Sequence, residues 1–123
     1  MKSSPRLIVE VPHGGEVARA LAADPPPSVT AGDVVVEAGP TDAEGRLEAA
    51  AAGQVLLSLP SPQALVREAD SVARVIGQAG TGAEPIVVVV EAAEELLQEQ
   101  LDPLLTAAGH TSRAVILRVI ADA

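Results

Sequence analysis

Five successive apolar positions, Ile86 to Val90, constrain this chain more than any other stretch. A run that short, β-branched throughout and preceded by Pro85, reads as a strand covered on both faces. Glu91 then opens a Glu- and Leu-rich helical pattern that reaches Ala108, and a second apolar run, Arg113 to Ile120, follows it. A helix between two such strands is the crossover that parallel pairing demands.

The rest of the chain repeats the unit. Arg6 to Val11 reads as the first strand, followed by a turn through Pro12, His13, Gly14 and Gly15 and a helix over Glu16 to Ala23. Pro25 to Pro27 cannot continue that helix and predict a rigid, extended connector. Asp33 to Glu37 is the second strand. Thr41 and Glu44 have capping-box spacing and open an Ala-rich helix that ends near Gly53. Gln54 to Leu59 is the third strand. Ser61 and Pro62 predict an N-cap and first helical position, with Leu65, Ala69, Val72 and Ile76 as the apolar stripe of a helix ending at Gly77. In the last helix Leu96, Leu97, Leu101, Leu104 and Leu105 form the stripe, and Asp102-Pro103 predicts a break or kink. Gly109 is a candidate C-cap. The alternation predicts an α/β three-layer sandwich with a mostly parallel five-stranded sheet, in flavodoxin-like order 2-1-3-4-5 first and Rossmann-like order 3-2-1-4-5 second.

At 123 residues the chain is expected to form a single α/β domain over 1–123. Although 48% of it is hydrophobic, no apolar run approaches the roughly 18 to 20 residues that span a bilayer, so no membrane span is expected. The start of the chain is too polar for a signal-peptide core, which makes the cytoplasm the expected compartment. The lack of cysteine removes disulfides, thiol nucleophiles and thiolate metal sites. Seventeen acidic residues against eight basic give a net charge of −9, with the arginines scattered one per element. Nucleic acid needs clustered Lys and Arg and is not an expected partner. Without Phe, Trp or Tyr there is no aromatic platform for bases, flavins or sugars.

In open α/β sheets, ligands bind beyond the carboxyl ends of the strands. His13 stands there, after the first strand, with Gly14 and Gly15 leading into a helix whose N-terminal amides suit an anion. The residues Val11 to Gly15 resemble the turn that carries the phosphorylatable histidine of mannose-type phosphotransferase IIA domains. That resemblance covers these five residues and implies a catalytic role for His13 as phosphoryl acceptor. Ile86 to Glu91 with Glu94 and Glu95 is similar to the acidic Walker B strand of P-loop ATPases, yet the glycine-lysine loop those enzymes need is missing, the only lysine being Lys2. Glu10, Glu37 and Glu91, with Asp122, are placed to converge at one sheet edge as oxygen donors for a divalent cation. A receiver-like acid pocket is not completed, because Leu59-Pro60 stands where an aspartate is needed. Ser61 follows the third strand with no nucleophile elbow around it, and His110, at a helix end, has no ligand-spaced partner. With the carboxylates read as strand-end and helix-start groups in water, no metal and no cofactor is expected.

Glu91, Glu94, Glu95, Glu99 and Asp102 give the last helix an acidic face, a surface that docks a basic partner where it is used at all. A full hydrophobic fold without a convergent catalytic set implies a small non-catalytic module acting through protein-protein interaction or self-association. The alternative is an anion-binding or phosphoryl-accepting enzyme component, with His13 as its reactive group and Gly14, Gly15, Glu37, Ser61 and Glu91 as ligand-binding positions; whether the chain is an enzyme stays open.

Overall fold

The computed structural model describes residues 7–11, 15–38, 55–78, 85–91, 96–111 and 113–119. Five strands, β1 (Leu7–Val11), β2 (Val34–Ala38), β3 (Val55–Leu59), β4 (Ile86–Val90) and β5 (Val115–Val119), pair in parallel in the order β2-β1-β5-β4-β3. Among the described residues five helical segments accompany them: α1 (Glu16–Ala23), α2 (Pro27–Thr30), α3 (Gln63–Arg67), α4 (Ala69–Gln78) and α5 (Gln98–Ala108). The chain is therefore α/β with a parallel five-stranded sheet, as the alternation implies. β4 is buried at all five positions, which is what its uninterrupted apolar run requires.

The strand order is of the expected flavodoxin- or Rossmann-like kind, but in detail it is 2-1-5-4-3 and not 2-1-3-4-5 or 3-2-1-4-5. It shares the β2-β1 start of the flavodoxin-like sheet, but the remaining strands run inward from the far edge, so β5 becomes the central strand. The connections from β1 to β2, β3 to β4 and β4 to β5 each step one strand in the same direction. Right-handed crossovers that step the same way place their helices on the same side of a sheet.

The register confirms that arrangement. Leu7 stands beside Val34 and Val115, Val9 beside Leu117, and Val115, Leu117 and Val119 beside Ile86, Val88 and Val90. These side chains share one core with Val17 and Leu21 of α1, Leu65 of α3, Val72 and Ile76 of α4, and Leu101 and Leu104 of α5. On the opposite sheet face, Val35, Ile8, Ile116 and Val87 form one row, and Glu37, Glu10, Arg118, Val89 and Ser58 form the next. Val87 and Val89 are fully buried, whereas Ile8 and Ile116 are half-buried and Val35 is exposed. The helix expected over Thr41 to Gly53 lies outside the described residues.

Several helix boundaries differ from expectation for local reasons. Pro27 starts the short α2, with Pro26 as its N-cap, in place of an extended connector. Proline's fixed φ suits the first helical position. Ser61 is not the N-cap: Pro62 is, α3 begins at Gln63, and Ser61 contributes only its carbonyl, which accepts from the Ala64 amide at 3.2 Å. A non-helical residue, Glu68 (φ −111, ψ 28), separates α3 from α4, and α4 runs through Gly77 to Gln78. The last helix starts at Gln98, because Leu97 is extended and its N–H donates to the Gln100 side chain at 2.8 Å. Leu97 thereby leaves the buried stripe and is 40% exposed. α5 does not break at Asp102 but stays helical through Pro103, and Gly109 is its C-cap. Among the described residues no helix is long and apolar enough to cross a membrane.

Candidate functional site

Because every strand is parallel, all the strand tips lie on one rim, but the candidate residues there fall into separate groups. Glu37 at the tip of edge strand β2 is exposed and in register with Glu10 of β1, and Glu10 is in register with Arg118 of β5. The Arg118 Nε donates to Glu10 Oε1 at 2.7 Å, with only 12% and 16% of the two side chains exposed. Glu10 is thus engaged in an ion pair on the second sheet face, not offered with Glu37 as a cation ligand. Ser61 and Glu91 belong to the other half of the rim. The Glu91 amide donates to the Leu59 carbonyl at 3.0 Å, which draws it alongside the end of β3, and Ser61 stands half-buried just beyond. β2 and β4 are three strand spacings apart, so Glu37 and Glu91 are separated by about 14 Å across the sheet. The structure therefore groups Glu10, Glu37 and Arg118 in one place and Ser61 and Glu91 in another.

Gly15 is the N-cap of α1, extended at φ −81 and ψ 176 and without a side-chain hydrogen bond. The residue after it is Glu16, which pairs with Arg19 one turn on. A carboxylate at the first helical position complements the dipole in the way an added anion would, and it opposes that anion by charge. His13, Gly14 and Asp122 lie outside the described residues. His110 is exposed in the turn after α5. Among the described residues, no three His, Asp or Glu side chains are grouped to hold a metal ion.

Among the described residues, three cavities lie around α5. One of about 590 Å³ separates α5 from α2 and is lined by Pro27, Ser28, Asp33, Gln98, Asp102 and Thr106 among others. Two more, of about 410 Å³ and 240 Å³, lie where α5 meets α4 and α3. None of these three is lined by Glu37, Ser61 or Glu91.

Known protein families, curated proteins and solved structures give no match.

Gln98 ties α5 to α2 by hydrogen bonds. Its Oε1 accepts from both the amide (3.0 Å) and the hydroxyl (2.8 Å) of buried Ser28, and its Nε2 donates to Asp102 Oδ1 at 2.6 Å. One side chain therefore satisfies a buried hydroxyl and a helix-start amide seventy residues away, while orienting a carboxylate on its own helix. Sequence reading missed Gln98, since a glutamine in an acidic helix carries no periodic signal. It also missed Arg118. The signal for Arg118 is present: the second-last residue of each of two parallel apolar strands, Glu10 in LIVEV and Arg118 in VILRV, is the charged one, with opposite sign.

Proposed function

We propose that this chain is a non-catalytic interaction module that binds another protein through its helical layer. The observation that carries the reading is the presence of three cavities around α5, all on the helical side of the molecule. At the same surface Val66 and Leu97 are 45% and 40% exposed. Large apolar side chains beside carboxylates and shallow cavities suit a protein contact, in which an apolar centre is ringed by polar groups.

The test is whether the full-length chain retains a stoichiometric partner, located on the helical layer by cross-linking, or forms a reversible oligomer in light scattering. Either result is expected. A strictly monomeric protein at every concentration, with nothing retained, overturns the reading.

A further inference from the structure

Two of the cavities adjoin at Glu99. The larger is walled by Ala69 and Ala73 of α4 and by Pro103 of α5, with Asp70, Glu99 and Asp102 around them. The smaller continues from Glu99 to Val66 and Arg67 of α3. The groove so formed has small apolar walls and a rim of hydrogen-bond acceptors. Carboxylates only accept, and Asp102 is already oriented by Gln98. Pro103 has no N–H, so the carbonyl of Glu99, four residues earlier in α5, lacks the amide donor an ordinary helix would give it. Among the described lining residues of the two cavities, three carboxylates stand against one cation, Arg67.

The geometry points to this groove as the docking site for a basic, amphipathic segment of a partner protein. Its Lys or Arg side chains meet Asp70, Glu99 and the Glu99 carbonyl, and its apolar side chains fill the space beside Ala73 and Val66. From Glu99 to Thr106 the groove follows α5 for about 10 Å at 1.5 Å per residue, enough for two anchoring side chains. A second copy of this chain is a poor occupant, because an isologous contact sets the same carboxylates against each other and each copy carries a net charge of −9. A nucleic acid is repelled for the same reason. The inference rests on the interaction-module reading and adds the chemistry of the partner to it.

The probe is a fluorescent Leu/Lys peptide with leucines at helical spacing, compared with its Leu/Glu counterpart, and binding to the full chain is measured by anisotropy at several salt concentrations. The Leu/Lys peptide is expected to bind and the Leu/Glu peptide not to. Asp70→Asn with Glu99→Gln should weaken binding ~10-fold, while Glu16→Gln with Asp24→Asn, which removes the same charge from residues that do not line the groove, should change it less than ~2-fold. Ala73→Leu, a good helix former at an exposed position, should leave the melting temperature near that of the parent and weaken binding ~5-fold by filling the wall. Equal weakening by the two charge pairs, unchanged binding by Ala73→Leu, or no binding of the Leu/Lys peptide overturns the proposal. So does a dimer that Ala73→Leu abolishes, which would give the groove to a second copy. A partner retained equally by parent and Ala73→Leu removes the groove and leaves the interaction reading in place, whereas loss of all association removes both.

Discussion

The two faces of the sheet are built on different terms. On the helix-covered face, Leu7, Val9, Val115, Leu117, Val119 and the alternate residues of β4 are almost completely buried. On the other face β4 is still buried at Val87 and Val89, but β2, β1 and β5 present exposed Val35, half-buried Ile8 and Ile116 and the Glu10–Arg118 pair. The difference follows from topology. Three crossovers stepping in one direction put all five described helices on one side, so that side supplies the apolar burial that dominates stability. The second face has to tolerate charge within strands.

The sharpest way to break this comparison is to cut neighbouring residues of the central strand, one from each face. Leu117→Ala removes a fully buried side chain from the helix-covered core and should cost about 3 kcal/mol, since truncation there loses transfer energy and leaves a cavity. Ile116→Ala, half-buried on the other face, should cost about 1 kcal/mol because less area leaves water and the site opens to solvent. Urea midpoints of the two variants measure the ratio. Equal losses would mean that both faces are packed to the same density, and the asymmetry would be one of composition only.

Much of the fold is legible in the sequence but this asymmetry is not, because the alternation predicts helices on both faces, and the limits are physical. The run Ile86 to Val90 announced a strand buried on both faces because no alternation was present, and the spacing of Leu65, Val72 and Ile76 announced the core stripe. Strand order was not legible, since pairing depends on which strand lies nearest in space and parallel apolar strands are nearly interchangeable partners. Helical spacing places Leu97 in the buried stripe, whereas the Gln100 side chain accepts from its amide and its backbone is extended. Pro103 predicts a break because proline removes one hydrogen bond. Burial of Leu101, Leu104 and Ala107 on either side outweighs that loss. At the rim, strand ends showed where residues lie along the sheet, but the lateral distance between Glu37 and Glu91 required the order of the strands.

A smaller effect sharpens the account of the second face. Glu10→Gln keeps the shape of the side chain but removes its charge, leaving the Arg118 guanidinium in a site where that side chain is only 12% exposed. The loss should be about 1 to 2 kcal/mol, less than for a fully buried pair, because solvent still reaches both groups and Arg118 engages other groups as well. Replacing both partners, as Glu10→Leu with Arg118→Leu, should recover most of that loss. Chemical denaturation of the single and double variants separates the two cases. A double variant as unstable as the single one would show that the pair does more than neutralise itself on this face.

The smallest effect concerns Glu37, which lies beside Glu10 at the edge of the sheet. Adjacent parallel strands are about 4.8 Å apart, so two carboxylates in register repel, although Arg118 on the other side of Glu10 offsets part of that repulsion. Glu37→Lys reverses the sign and should stabilise the fold by about 0.5 kcal/mol at low ionic strength, with the gain shrinking as salt is added. The corresponding reversal at Glu16, already paired with Arg19 on exposed α1, should instead lose a few tenths of a kcal/mol. Melting curves at low and high salt compare the two directly. If Glu37→Lys destabilises, Glu37 is held by a favourable contact on the second face, and the charge of that face is balanced across β2, β1 and β5 together rather than by Glu10 and Arg118 alone.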